Sequence, residues 1–403
     1  MKRVFKRIVL KNGLTILFEK RDLPLVSVTF AVRAGGVNEK TEEKGISHYI
    51  EHMLYKGTQK RNVKQISEEI ERRGGELNGF TSEEVVAYWC KIPSKHINVA
   101  LDVLGDMVRN PLFDEKELEK ERKVIFEEIK MYRDNPRLHV FDEIHSCLYG
   151  GTLAMPLAGT KDTMTSIDRT KILAKFKEIY TPNNIILCVV GNAKLKQLVD
   201  YAEKNFGNEK GKVPEIKFDK KNQIRVEERN GIDQANMLFA FHAPNGADDL
   251  SYASICLTSL MAGGMSSRLF SEIREKRNLA YSVIGEAEIG KRFSYCSIYV
   301  GTMKENTEQV HKLILEEFAK VSNELTIEEL NSIKEQIIGN HEISLEDSKI
   351  QMVNLLSAEI EGDASRTYDF EKKIRKVKLE DVKKFAKKVS EGDYSLFSLI
   401  PKD

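Results

Sequence analysis

Apolar positions along the chain switch between two spacings, and the switches mark the elements. Leu25 to Ala34 and Val85 to Ile92 are short runs rich in β-branched and aromatic residues, which predicts strands. A third run, Asn184 to Val190, follows the turn Thr181-Pro182-Asn183. Between them apolar residues recur at helical spacing. Asp114 to Asp134 is the clearest helix, with Asp114 placed to cap it, and Ile46 to Lys56 also reads as helical. Ahead of these, Met1-Lys2-Arg3-Val4-Phe5-Lys6-Arg7 is basic, and Ile8-Val9-Leu10 leads into Asn12-Gly13 as a first strand and its turn. That apolar run is far too short for a signal-peptide core, and no later run reaches membrane-spanning length.

The pattern repeats. Thr29-Phe30-Ala31-Val32-Arg33-Ala34 matches Leu238-Phe239-Ala240-Phe241-His242-Ala243 at an offset of 209 (239 minus 30). Near the end of each half, Ala174-Lys175-Phe176 matches Lys383-Lys384-Phe385 at the same offset of 209 (385 minus 176). A period this long marks a duplicated domain, not a solenoid. The expected fold class is α+β: two homologous domains, each a mainly antiparallel sheet packed with helices. The first domain is placed at 1–206 and the second at 221–403. Between them lies a linker at 207–220, opening with Gly207-Asn208-Glu209-Lys210-Gly211-Lys212-Val213-Pro214.

Composition narrows the function classes. With 403 residues and 41% hydrophobic content the chain can bury two cores, each of about 200 residues. The 63 basic and 62 acidic residues leave a net charge of +1, which argues against nucleic acid or an anionic membrane as a partner. Cys90, Cys147, Cys188, Cys256 and Cys296 are scattered and odd in number, as expected of reduced thiols in a cytoplasmic protein.

The chemistry concentrates in His48-Tyr49-Ile50-Glu51-His52. Histidines four apart on a helix share one face, and Glu51 lies beside it. Two nitrogen ligands leave a catalytic zinc short of the three protein ligands it normally has. At the repeat offset the same positions hold Leu257, Leu260 and Met261. The first half thus puts polar groups where its twin puts hydrocarbon, which is costly unless something coordinates them. For a third ligand the helix 114–134 offers Glu121, Glu127 and Glu128. Glu121 and Glu128 share a stripe with Ile125 and Tyr132, and Glu127 lies about 100° round, beside Val124 and Met131. Periodicity alone does not choose between Glu127 and Glu128. The repeat sets Leu330 and Ile337 opposite Glu121 and Glu128, and polar Gln336 opposite Glu127. The 121/128 stripe is therefore expected to face inward, with Glu128 as ligand and Glu121 orienting a ligand histidine or the water. His139 and His145, near Glu143, are six apart and diverge on a helix, so they read as structural. His96, His242, His311 and His341 are isolated.

The inverted motif His-x-x-Glu-His, followed 76 positions after His52 by Glu128 (128 minus 52) within Val124-Ile125-Phe126-Glu127-Glu128-Ile129, resembles the inverzincin metallopeptidases. These are the pitrilysin and insulinase family, and the chain length is similar to its mitochondrial-processing-peptidase-like branch. The resemblance runs through His52-Met53-Leu54-Tyr55-Lys56-Gly57-Thr58, Gly74-Gly75-Glu76-Leu77-Asn78-Gly79-Phe80-Thr81 and Tyr180-Thr181-Pro182-Asn183-Asn184. In the second half it takes in Gly263-Gly264-Met265-Ser266-Ser267-Arg268-Leu269 and the pair Arg274 and Tyr281. It implies one Zn2+ per chain held by His48, His52 and Glu128, with Glu51 as general base and Glu121 in support. Arg274 and Tyr281 would hold the substrate backbone and stabilise the oxyanion, and Asn78, Gly79, Phe80 and Thr81 would pair with an extended substrate. The implied activity is zinc-dependent endopeptidase action on unfolded peptides or small polypeptides inside a closing two-domain chamber, by a homodimer. The alternatives are the catalytic subunit of a heteromeric processing peptidase, or a non-catalytic scaffold relative. Two departures stand out: Gly79 where the family commonly has Ala, and Tyr49-Ile50 where it often has Phe-Leu.

Overall fold

The computed structural model describes residues 4–402, so the basic start Met1-Lys2-Arg3 lies outside it. The expected strand runs form two sheets. In the first, β1 (Val4–Val9), β2 (Thr15–Lys20), β3 (Leu25–Val32), β4 (Glu76–Thr81), β5 (Val86–Pro93) and β6 (Ile185–Gly191) lie in the order β1-β2-β6-β3-β5-β4. The second comprises β7 (Ile224–Arg229), β8 (Ala235–His242), β9 (Ala280–Ile289), β10 (Ser294–Thr302) and β11 (Ser395–Pro401), in the order β7-β11-β8-β10-β9. β6 is buried at every residue, which is why its sequence is a continuous apolar run and not an alternating one.

The two sheets are copies of one plan. β2 and β7 start 209 positions apart (224 minus 15). β2 runs parallel to β6 and β7 runs parallel to β11. The remaining neighbours are antiparallel in both sheets. β1 is the one strand without a counterpart among the described residues. The fold class is α+β with a duplicated, mainly antiparallel unit.

Compact units cut across the contiguous halves 1–206 and 221–403 at two helices. One unit takes the chain up to Lys130 with Met155–Lys217 and Ser344–Ser365, and the other takes Met131–Ala154, Phe218–Ile343 and the chain from Arg366. The helix Pro136–Leu148 packs on β11 and β8 of the second sheet, whereas its repeat equivalent, Ser348–Glu361, packs on β6 and β3 of the first. Val140, Ile144, Cys147 and Leu148 join Leu238, Ala240, Phe397 and Leu399 in one apolar cluster. On the other sheet the Ser348 hydroxyl lies 2.8 Å from that of Ser27, and the Cys188 thiol faces the Met352 carbonyl at 3.8 Å. Each sheet thus has an apolar face covered by a helix from the opposite half of the sequence. Residues 206–219 carry no helix or strand. All five cysteines are buried and unpaired.

Candidate metal centre

The motif helix, Ile46–Leu54, begins after Gly45 at φ 96°, a left-handed conformation that favours glycine. A side chain there would also meet the Ala158 carbonyl at 2.7 Å. The buried Glu39 carboxylate accepts hydrogen bonds from the N–H groups of Gly45 (3.0 Å) and Ser47 (2.7 Å), capping the helix start and complementing its dipole. Lys44, wholly buried, lies 4.0 Å from Glu39 and 3.2 Å from Glu83. Ile46, Tyr49, Ile50, Met53 and Leu54 fill the core, leaving His48, Glu51 and His52 on the half-buried side.

The second structural support is the helix Glu115–Asp134. The Asp114 carboxylate accepts from Lys116 N–H (2.9 Å) and Glu117 N–H (3.2 Å), so it caps the helix as the sequence predicts. Leu118, Glu121 and Ile125 are buried, while Val124 and Met131 are exposed. The 121/128 stripe therefore faces inward and Glu127 faces out. The Tyr49 hydroxyl donates to the Leu118 carbonyl at 2.5 Å, and the Arg122 guanidinium lies 5.5 Å from the Tyr49 ring centroid. The departure at Tyr49 thus adds a bond that ties the motif helix to the helix carrying Glu128.

Three donor atoms converge. His48 Nε2 and His52 Nε2 are 3.2 Å apart, and Glu128 Oε2 lies 3.6 Å from the first and 3.4 Å from the second. Ligands about 2.0–2.2 Å from a tetrahedral zinc stand roughly 3.3–3.6 Å from one another, so the triangle fits the ion in size and chemistry. Among the described residues, this is the one group of three His, Cys, Asp or Glu side chains able to hold a metal. His52 Nδ1 lies 3.1 Å from Glu121 Oε2, whose other oxygen is 2.7 Å from Lys56 Nζ. That contact fixes the ring so that Nε2 faces the site. His48 Nδ1 is buried without a hydrogen-bond partner.

The electrostatics follow from packing. Burial first, then neighbouring His52, hold the His48 pKa down at about 4, so this imidazole is neutral, as a metal ligand requires. Burial also weighs against protonation of His52, but the hydrogen bonds to Glu128 and Glu121 outweigh it and raise its pKa. The His52 contact lowers Glu128. Burial raises Glu51, against the opposing hydrogen bond from Thr81.

Glu51 sits beside the triangle, its Oε2 accepting from the Thr81 hydroxyl at 2.6 Å. Thr81 closes β4, which carries Asn78, Gly79 and Phe80 and pairs on one side with β5. β4 is thus a sheet edge, with Asn78 exposed and the next three residues half-buried.

Arg274 and Tyr281 belong to the other unit. Arg274 is half-exposed, its guanidinium 4.7 Å from the Phe270 ring centroid and 3.9 Å from Glu275. Tyr281 is 49% exposed. Its ring rests on Gly301, where a side chain would collide with it. Its hydroxyl is 3.4 Å from that of Tyr299, which donates to Asn236 Oδ1 at 2.7 Å. A cavity of ≈ 620 Å³ opens beside Tyr281, lined in part by Asp134, Arg137, Asp233 and Asn236. His139 pairs with Glu227 at 2.8 Å and His145 with the Tyr295 hydroxyl at 3.1 Å, so these histidines are used structurally.

Sequence reasoning misses Lys56 and Tyr55 as neighbours of the site, and Glu39, Lys44 and Glu83 beneath it. Lys56 had a signal, being four residues after His52 on one helical face. So did Tyr55, four residues after Glu51, whereas Glu39, Lys44 and Glu83 are brought in only by tertiary packing. None of the described helices is long and apolar enough to cross a membrane.

With that geometry in hand, comparison with known proteins is specific. Residues 15–161 match the insulinase (peptidase family M16) profile, and residues 166–337 match the peptidase M16 inactive domain. A Bacillus subtilis protein named an uncharacterized zinc protease, YmxG, is 33% identical over 404 residues, covering 99% of this chain and 98% of its own. A Rickettsia felis protein, also named an uncharacterized zinc protease, is 32% identical over 347 residues, covering 84% of each chain. The crystal structure of a protease from Helicobacter pylori superposes with a TM-score of 0.92 at 21% identity, covering 99% of this chain and 100% of that one, which speaks for the fold. The chain belongs to the insulinase family of peptidases, family M16.

Proposed function

We propose that this protein is a zinc-dependent endopeptidase that hydrolyses peptide bonds in unfolded peptides or small polypeptides. The observation that carries the reading is the placement of Glu51 beside the triangle of His48, His52 and Glu128. One Zn2+ per chain is the ion that these residues would hold, and when bound it supplies Lewis acidity that activates water and polarises a peptide carbonyl.

The side chains do the rest. Thr81 holds Glu51 Oε2, leaving Oε1 to take the proton from the attacking water. The raised pKa of Glu51 makes it a better proton acceptor than an ordinary carboxylate, and the same group then returns the proton to the leaving amine. Glu121, set between Lys56 and His52, keeps the His52 ring oriented. An extended peptide adds to β4 at Asn78–Thr81 through main-chain hydrogen bonds, so its sequence matters little. Tyr281 and Arg274 act on the substrate backbone and the oxyanion, which requires the two domains to close on it. A closing chamber sets a size limit, admitting unfolded chains and excluding folded ones.

The near-zero net charge favours peptides as partners over nucleic acid or anionic membranes. A homodimer completes the reading. Digestion of an unstructured peptide library by the purified chain, with and without chelator, tests it, alongside a native-mass measurement. Chelator-sensitive cleavage is expected, and chelator-insensitive cleavage by the purified chain would overturn the zinc reading.

A further inference from the structure

Tyr55 follows the motif helix as its C-cap, and its hydroxyl is buried without a hydrogen-bond partner. A buried donor left unused is costly. What lies around it is informative. A Cβ added at Gly79 would sit 2.6 Å from the Tyr55 oxygen and 3.2 Å from Glu51 Oε1. The hydroxyl and the free oxygen of Glu51 therefore border one small gap, and that gap exists because residue 79 has no side chain. Gly79 is not in the left-handed region, so its backbone does not require glycine. The space does.

We propose that Tyr55 and Gly79 form a size-matched pair in which the Tyr55 hydroxyl, seated over Gly79 and unbonded in this structure, moves across the gap to donate to Glu51 Oε1 and positions it for proton transfer. Glu51 is then held from two sides, Oε2 by Thr81 and Oε1 by Tyr55. Burial first, then the Glu51 charge, push the Tyr55 pKa up, so the phenol keeps the proton it donates. The Tyr55 ring is fixed from behind by Tyr88, 6.1 Å away between centroids, whose hydroxyl is itself engaged with that of Tyr180 at 2.7 Å. Tyr55 is the one of these three tyrosines whose hydroxyl is left for Glu51. Gly79 then reads as the partner of this hydroxyl.

This inference rests on the peptidase reading, and the test separates the two. Kinetics on an unstructured peptide are measured for the zinc-loaded wild type and for Glu51→Gln, Tyr55→Phe, Gly79→Ala and the Tyr55→Phe/Gly79→Ala double variant. Tyr55→Phe is expected to lower kcat by about two- to tenfold, the size of one lost hydrogen bond, with KM and zinc content unchanged. Gly79→Ala should lower kcat further, because the new methyl displaces both the hydroxyl and Glu51. Adding Tyr55→Phe to Gly79→Ala should recover part of that loss, not all, since the methyl also meets the Ala87 carbonyl at 2.9 Å. Melting temperatures should show the same partial rescue. If the wild type is active and depends on Glu51, but Tyr55→Phe matches it and the double variant is no better than Gly79→Ala, the pairing is overturned and the peptidase reading stands. A wild type without activity overturns the peptidase reading, and with it the positioning role.

Discussion

Glu121 Oε2 lies 3.1 Å from His52 Nδ1, and this contact fixes which nitrogen of His52 faces Glu128. The carboxylate is buried and is itself held by Lys56. Glu121→Gln keeps the shape but weakens the acceptor. Zinc affinity is expected to fall about 10- to 100-fold, read by competition with a chromogenic chelator, while the circular dichroism spectrum stays unchanged.

Glu128 and Glu127 are neighbours on one helix with opposite surroundings. Glu128 points at both imidazoles, whereas Glu127 is exposed. Glu128→Gln should lose stoichiometric zinc and Glu127→Gln should retain it, measured by metal analysis of the purified variants. The reverse outcome would place the wrong face of the helix at the site.

Zinc binding should also depend on pH in a defined direction. His52 has a raised pKa, so it takes up a proton more readily than an ordinary imidazole as pH falls. Protons then compete with the metal for Nε2. Titration calorimetry should show zinc affinity falling steadily from neutral pH into the acid range, with proton release on binding growing over the same interval.

A second pH effect belongs to stability. Burial, and then Glu143, raise the Asp142 pKa from 3.8 to about 6. A carboxyl whose folded pKa is raised binds its proton more tightly in the folded state. Its stabilising contribution is complete below pH about 4 and lost as pH rises through about 6. Asp142→Asn should therefore be more stable than the wild type at pH 8, by about 1–3 kcal/mol. The advantage should vanish near pH 4, as read by denaturant unfolding at each pH.

Much of this was legible in the chain, for reasons that differ by element. β6 announced itself because a strand buried on both faces must be continuously apolar. The inward stripe of Glu121 and Glu128 was legible through the repeat, since Leu330 and Ile337 report what the equivalent face packs against. Asp114 was legible as a cap because capping is local. The exchange of Pro136–Leu148 and Ser348–Glu361 was not, because an amphipathic helix records that it has an apolar face but not which sheet covers it. Nor was Thr81 as a neighbour of Glu51. It reaches the carboxylate through the side-by-side packing of the motif helix and β4, which no sequence spacing encodes.

The central claim is that Glu51 transfers protons for a zinc ion held by His48, His52 and Glu128. Its most direct test is to load the wild type and Glu51→Gln with zinc, confirm the metal content of each, and measure cleavage of one unstructured peptide. The account predicts one zinc per chain in both proteins and a loss of roughly a thousandfold in kcat for Glu51→Gln. Equal cleavage by the two zinc-loaded proteins would contradict it.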